Sequence, residues 1–580
     1  MWKTHRISRA GPLWTWVVCS LGWLAVAGVA PAQSAPINGV MMQAFYWDVP
    51  QTTPAGSWWK NLESKAQEFS DIGVTAVWLP PPYKGRAGAS DVGYGVYDRY
   101  DLGEFNQCGT VPTRYGTLAE LQDAIQAMKD KNIQVYIDIV MNHMMGADQT
   151  ETFTYNGETF NVPTKFTFPG RGTTYSNYQW RYYNFNGVQL GDGSWKQWHA
   201  NWDFPSYHDA WDNLMGCEIR FQNPDNRKEL IAWGKWITGK LGVDGYRLDA
   251  TKHMYTPFVI EWLDNVKGNR FAVSEALFGD LGDLKNYAQA LGSRSSLFDF
   301  PLHYRFGNVL NKDGSGDLRK LKFAGFTEVN GPRSVSFVDN HDTDRSSPVV
   351  KMKMLAYAYI LTRHKGYPCV FYKDYYEYNL GSQIKKLIEI RKNHAYGGGW
   401  EYDQTDADVY VFSRAGDQQH RGLLLLLCDA AATSKQLRTP FLNATLKDHT
   451  GHIGNTVTTD ASGVGVFPVP TKSYAVWVPE KKPTTAVTFH VTYGNTQPGQ
   501  DVYLIGNTQQ LGQWNTNAAI RLSGAAWPQW TVTVDLDTGV GVAYKYICKD
   551  AAGNVRWEGG SDRVFTPAGT AQDRHDSWQP

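Results

Sequence analysis

An alternation of short apolar strands with amphipathic helices, from about Asn38 to Lys392, predicts an α/β chain built on a parallel (β/α)8 TIM barrel. Two further observations complete the architecture. Roughly 80 residues without strong periodicity, from about Asn142 to Asn223, follow the third strand. That is too long for a passive connection and predicts a small inserted domain over the C-terminal mouth of the barrel. From about Gly397 the helical pattern stops and only strands parted by turn residues remain, which predicts a β-sandwich followed by a second all-β module.

The elements follow in order. Gly39–Trp47, Val74–Pro80, Ile133–Val140 and Leu241–Leu248 read as the first four strands, and Phe271–Ser274, Leu297–Phe300, Ser334–Val338 and Tyr367–Tyr372 as the second four. Helices are expected at Trp58–Ile72, Thr117–Lys131, Asn226–Leu241, Pro257–Val266, Leu281–Leu291, Val350–Arg363 and Ser382–Asn393. Thr117 is a candidate N-cap with Glu120 at the third position. Val409–Ser413, Gly422–Leu427, Gly463–Phe467 and Tyr474–Val478 build the sandwich. Strands near Val487–Thr492, Asp501–Ile505, Gln529–Val534 and Val542–Ile547 build the last module. The expected division is therefore a leader at 1–35, the barrel at 36–395 with its insertion at about 142–223, the sandwich at 396–479, a polar Pro-bearing linker at 480–485 and the terminal module at 486–580.

Composition narrows the partners. With 56 basic and 56 acidic residues the formal charge is zero, so no electrostatic nucleic-acid or anionic-membrane partner is expected. Lys3, Arg6 and Arg9, the apolar run Leu13–Val29 and Ala30-Pro31-Ala32 have the layout of an export signal, which predicts a secreted or periplasmic protein. Cys19 would leave with that leader. Cys108, Cys217, Cys369, Cys428 and Cys548 are scattered, which is neither a disulfide framework nor a zinc site. Trp and Tyr number 23 and 32, and such rings offer flat apolar faces suited to sugars, although large cores also consume them.

Polar clusters sit at the strand ends: Asp138, Asn142 and His143 after strand three, Arg247 and Asp249 at strand four, Glu275 at strand five, His341 and Asp342 at strand seven. In this fold the C-terminal strand ends converge on one mouth. Arg247 and Asp249 alternate about Leu248 and face the same side. An adjacent guanidinium keeps a carboxylate ionised and fixed, as a carboxylate nucleophile requires, although the pair would equally serve as a clasp closing a strand. Several carboxylates in one mouth repel and are hard to explain as scaffold, whereas a carboxyl pair with split pKa values is what glycoside hydrolysis uses.

Asp138–His143, Gly245–His253, Ala272-Val-Ser-Glu275 and Phe337–Asp342 resemble the four sequence regions of the alpha-amylase family of glycoside hydrolases. Asp91–Asp98, Asp101–Gln107, Phe168–Tyr175 and Pro301–Tyr304 are similar to stretches of the bacterial liquefying members. The resemblance implies an endo-acting, retaining hydrolase of α-1,4-glucans. A maltooligosaccharide-forming or transglycosylating relative is the enzyme alternative, and a non-catalytic glucan-binding protein the alternative of another class. It implies Asp249 as nucleophile, Glu275 as general acid/base with its pKa raised, and Asp342 as a transition-state partner. Arg247 would hold Asp249 ionised. His143 and His341 would bond the sugar, Tyr94 and Trp47 would stack on it, and Lys252 and His253 would line the leaving side. It also implies Ca2+ bound by Asn142, Asp212, Glu218 and the His253 carbonyl, an oxygen-only set suited to that ion. Arg220 and Gln222 stand where liquefying members carry further aspartates, so no extra metal cluster is expected.

Leu511–Asn515, Tyr544–Ile547 and Val555–Glu558 resemble the starch-binding domain at the ends of glucoamylases and some amylases. That implies a stacking platform of Trp514 and Trp557, a hydroxyl contact from Lys545, and a second site served by Trp527. Starch-type glucan is thus the implied partner of an otherwise monomeric chain.

Overall fold

The computed structural model describes residues 38–200, 213–403, 405–417, 419–480, 484–537, 539–568 and 570–580. The expected leader lies outside these residues, and so does Asp212. Eight parallel strands close into a barrel: β1 (Met41–Gln43), β2 (Ala76–Leu79), β3 (Gln134–Ile139), β4 (Gly245–Leu248), β5 (Phe271–Ser274), β6 (Ser296–Phe298), β7 (Ser334–Phe337) and β8 (Tyr367–Phe371). Each pairs with its sequence neighbours and β1 closes on β8. Apart from Gln134 and Ser296 at the starts of β3 and β6, all eight are runs of buried residues, as expected where helices cover the outside and side chains fill the inside.

The helices form where caps and apolar faces agree. Leu118–Asp130 opens on the reciprocal Thr117–Glu120 capping box that the sequence predicts. Pro224–Leu241 has Asn223 as N-cap, Pro at its first turn and Gly242 in the left-handed region at its end. The expected helix at Trp58–Ile72 is instead two, Trp58–Ser64 and Ala66–Ile72, broken at Lys65 (φ −93°, ψ −2°). The break re-aims the chain so that Trp58, Trp59 and Leu62 and then Ala66, Phe69 and Ile72 are all buried. After β6 stands a helix the sequence reading does not include, Phe300–Leu310, with Asp299 as N-cap and Pro in its first turn.

The insertion is β-structure rather than irregular chain. A hairpin of Gln149–Tyr155 and Glu158–Lys165 turns at Asn156 and Gly157, both in the left-handed region. A four-stranded sheet joins Trp195–Gln197, Phe185–Gln189, Cys217–Ile219 and His143–Met144, so the insertion grows directly from the end of β3.

In the sandwich, Leu423–Cys428 explains its unbroken apolar run by facing two cores. Leu423, Leu425 and Leu427 pack with the barrel, whereas Leu424, Leu426 and Cys428 pack with Phe467 and Trp477 inside the sandwich. The terminal module has four- and five-stranded sheets over a core that includes Phe489, Leu504, Trp530 and Tyr546. Its first strand begins at Thr484 and pairs with Gln529–Asp537, so Thr484 and Thr485, assigned by sequence to the linker, already belong to the sheet. Arg421 binds Asp537 through both guanidinium nitrogens, at 2.7 and 2.8 Å, and ties this module to the sandwich. Among the described residues no helix is long and apolar enough to cross a membrane, and the five cysteines are free thiols.

Candidate active site

The site grows from the register of β3 and β4. Arg247 lies directly opposite Asp138. Its Nη1 contacts Asp138 Oδ1 at 2.8 Å and Asp249 Oδ1 at 2.6 Å, and its Nη2 lies 2.8 Å from Glu275 Oε1. One fully buried cation therefore gathers three carboxylates from β3, β4 and β5. Trp78 on β2 supplies a ring face 4.8 Å from the guanidinium carbon.

Asp249 follows β4 directly, and Ala250 after it adopts a left-handed conformation (φ 48°). For a residue with a Cβ that conformation costs about 1–3 kcal/mol. It aims the Ala250 N–H at Glu275 Oε2, 2.9 Å away. Both oxygens of Glu275 are thus held, one by Arg247 and one by the backbone beside Asp249.

Across the mouth, Asp342 is the most open of the three expected catalytic acids, with its side chain 38% exposed. Trp47 donates to it at 3.2 Å, and His341 Nε2 lies 3.4 Å away. The His341 ring is fixed by Gln43 at 2.9 Å and stacks on Tyr94 at 5.3 Å and 9°. Trp47 and Tyr94 are neighbours, 5.3 Å apart. His143 Nε2 meets the Tyr94 carbonyl at 2.8 Å, and Arg99 bonds the carbonyls of Val140 and His143, pinning the end of β3.

Burial sets the electrostatics. It pushes His143 down to about 4 and His341 to about 3, so both rings are neutral hydrogen-bonding groups near neutral pH. It pushes Asp138 up to about 6 against the pull of Arg247. At Asp249 burial outweighs the arginine, although Arg247 pulls in the direction the sequence reading expects. Desolvation raises it well above the ordinary aspartate range, with Arg247 opposing and the Glu275 and Asp138 charges adding to the rise. Three carboxylates share one cation, so the guanidinium cannot neutralise each of them fully.

The remaining expected residues are placed as follows. Lys252 is buried, and its ammonium donates to the Leu277 carbonyl at 2.8 Å, bracing the segment after Glu275. His253 ends the short 3-10 turn Thr251–His253 and is also buried. Asn142 and Glu218 are buried side by side, since Glu218 pairs with His143 and the Ile219 N–H donates to the Asn142 carbonyl. In the terminal module Trp514 and Trp557 form a pair with centroids 6.3 Å apart and planes at 39°, with Trp557 42% exposed. Trp527 stands apart and is 59% exposed. Lys545 donates to the carbonyls of Gly559 and Gly560 at 2.8 Å each, so it first of all holds the loop after Trp557.

The sequence reading places Asp138 in the cluster ending strand three but gives it no role, and it does not single out Gln43 or Trp78. Asp138 accepts from Arg247, from Tyr94 at 2.8 Å and from Trp78 at 3.1 Å. Its signal is legible afterwards: a carboxylate inside the largely buried strand Gln134–Ile139 demands a cation from a neighbouring element.

Comparison with known proteins agrees with this geometry. Residues 56–394 match the alpha amylase catalytic domain, 425–478 the alpha-amylase C-terminal domain and 484–576 the starch binding domain. The chain is 37% identical over 558 residues to an alpha-amylase of Geobacillus stearothermophilus, covering 88% of this chain and 99% of that one. It is 38% identical over 485 residues to a glucan 1,4-alpha-maltohexaosidase of Bacillus sp. (strain 707), covering 76% and 92%. It superposes on the crystal structure of an alpha-amylase from Geobacillus thermoleovorans with a TM-score of 0.54 at 17% identity, covering 77% and 98%. The chain belongs to the alpha-amylase family of glycoside hydrolases.

Proposed function

We propose that this chain is a secreted, monomeric, retaining endo-hydrolase of α-1,4-glucosidic bonds in starch-type glucans. The observation that carries the reading is the single buried Arg247 that holds Asp249 and Glu275 together, with Asp342 across the mouth. Two carboxylates on one guanidinium favour the short spacing of a retaining pair, about 5–5.5 Å, over the wider inverting one.

Asp249 attacks the anomeric carbon while Glu275 gives its proton to the departing glycosidic oxygen. Water then attacks the glycosyl ester, Glu275 takes the proton back, and Asp249 is released. Asp342 and the neutral His143 and His341 bond sugar hydroxyls, and Tyr94 with Trp47 offers the ring a stacking face. The leaving chain lies toward Lys252 and His253. Trp514 and Trp557, with Lys545 holding their loop and Trp527 at a separate site, adsorb the enzyme on starch.

An endo mode predicts that iodine colour in soluble starch falls well before reducing ends accumulate. A parallel fall of the two would contradict it. The 38% identical maltohexaosidase favours one refinement, a preferred product length, which chromatography of the early products would reveal as one dominant oligosaccharide.

The residues present also fit Ca2+. Both polar atoms of the Asn142 amide are buried without a hydrogen-bond partner, next to the buried Glu218 carboxylate. An orphaned amide oxygen beside a carboxylate is a donor set for a hard cation. Among the described residues no group of three or more His, Cys, Asp or Glu side chains converges as a metal centre, and Asp212 lies outside them. Bound by Asn142, Glu218, Asp212 and the His253 carbonyl, the ion would clasp the insertion to the barrel. Chelation should then lower the melting temperature, because a ligand held only by the folded state stabilises it. An unchanged melting temperature would remove calcium from the account.

A further inference from the structure

The sandwich carries an aromatic pair at its edge, Tyr402 seated against the sandwich core and Trp400 open beside it. Its edge strand Gly399–Glu401 pairs on one side only, with Val409–Arg414. Along this edge, side chains alternate. Glu401 points inward, where Arg363 of the barrel binds it while also binding Glu328 at 2.6 Å. Trp400 and Tyr402 share the other face. Trp400 is 38% exposed. The two rings have centroids 6.3 Å apart and planes at 33°. The starch-binding pair Trp514 and Trp557 has the same centroid spacing, 6.3 Å, and a tilt of 39°.

The two pairs are built from different elements yet share the same spacing and a similar tilt. A splayed pair of rings suits a chain whose successive sugar faces turn, as those of an α-1,4-glucan do, better than a flat ligand. The pair is also preorganised. The Tyr402 hydroxyl is fixed by the Arg438 carbonyl at 2.9 Å, and Asp403 beside it is ion-paired with Lys322 of the barrel at 2.9 Å. Through Glu401–Arg363 and Asp403–Lys322 the strand is fastened to the barrel itself, so a chain held here has a fixed position relative to the catalytic mouth. Preorganised rings lose little freedom on binding.

We propose that Trp400 and Tyr402 form a second glucan-binding platform, on the sandwich and independent of the starch-binding module, whose ligand is an α-1,4-glucan chain. This rests on the reading of the protein as a starch enzyme, which the turnover of soluble starch by the wild-type chain tests separately.

The test is affinity electrophoresis of the full chain in gels containing soluble amylopectin, in the background Trp514→Ala/Trp527→Ala/Trp557→Ala, which removes every ring assigned to the starch-binding module. That background should retain residual retardation. Adding Trp400→Ala should weaken it about fivefold, as expected for losing one aromatic contact. Trp400→Phe, which keeps a smaller ring in place, should fall between the two, and it carries the test if the alanine variant melts early. Retardation unchanged in Trp400→Phe and Trp400→Ala proteins of unchanged melting temperature would overturn the proposal. So would the absence of any residual retardation in the background.

Discussion

Replacing Glu275 by Gln is expected to lower kcat on soluble starch by about 10²–10⁴, the range for removing a general acid/base. The substitution is nearly isosteric. The amide oxygen can still accept from the Ala250 N–H that now binds Oε2 at 2.9 Å, so the turn after Asp249 keeps its shape. What disappears is the proton for the departing oxygen and the base for the incoming water. KM should therefore move far less than kcat, because the rings of Trp47 and Tyr94 and the neutral histidines are untouched. A loss below about tenfold would mean that Glu275 is not the acid/base.

Replacing Arg247 by Met is expected to cost stability as well as activity. Arg247 is fully buried and touches Asp138, Asp249 and Glu275. Removing it leaves three buried carboxylates without their cation. Breaking a buried pair by deleting one partner costs about 3–5 kcal/mol. The penalty should depend on pH in a definite sense. Asp138 is already raised to about 6 and Asp249 is raised well above its ordinary value. Without the guanidinium both rise further, so the folded state binds more protons than the unfolded chain. Stability of the variant then falls as pH rises from the unfolded aspartate value, about 3.9, through the raised folded values, and recovers as pH is lowered. Urea unfolding of wild type and variant at pH 5 and pH 8 should give a smaller difference at pH 5. An equal difference at both would mean that the three carboxylates do not depend on Arg247 electrostatically.

The barrel was legible because its strands are short, buried on both faces and punctuated by polar ends, a pattern that local sequence carries by itself. Glu275 was legible through position alone, as the acid that closes Ala-Val-Ser. Asp138 was visible at the same kind of strand end but its role was not, because its partnership with Arg247 depends on β3 and β4 being neighbours in register, which no local pattern states. The rise of Asp249 was missed for a related reason: sequence shows one arginine beside one aspartate, and only the fold brings three carboxylates to that arginine. The helix Phe300–Leu310 announced itself through Asp299 and Pro301, yet the sequence reading places Asp299 inside the sixth strand and Pro301 in a motif rather than as cap and first turn. The hairpin of the insertion carried a strong short-range turn signal, Asn156-Gly157, between strands in which buried Glu151, Phe153, Phe160 and Val162 alternate with exposed polar residues. Lys545 shows the opposite limit, since a lysine in a binding motif can spend its donors on the loop that presents the platform.

The central claim is that Asp249 forms a covalent bond to the sugar beside Glu275. Its most direct test is mass spectrometry of the Glu275→Gln protein after reaction with an α-maltotriosyl fluoride. Fluoride leaves without protonation, and hydrolysis of the ester lacks its base, so a glycosyl-enzyme should accumulate. An adduct of one maltotriosyl group is expected on the peptide that contains Asp249. An adduct on Asp342 or Asp138, or consumption of the fluoride with inversion and no adduct, would contradict it.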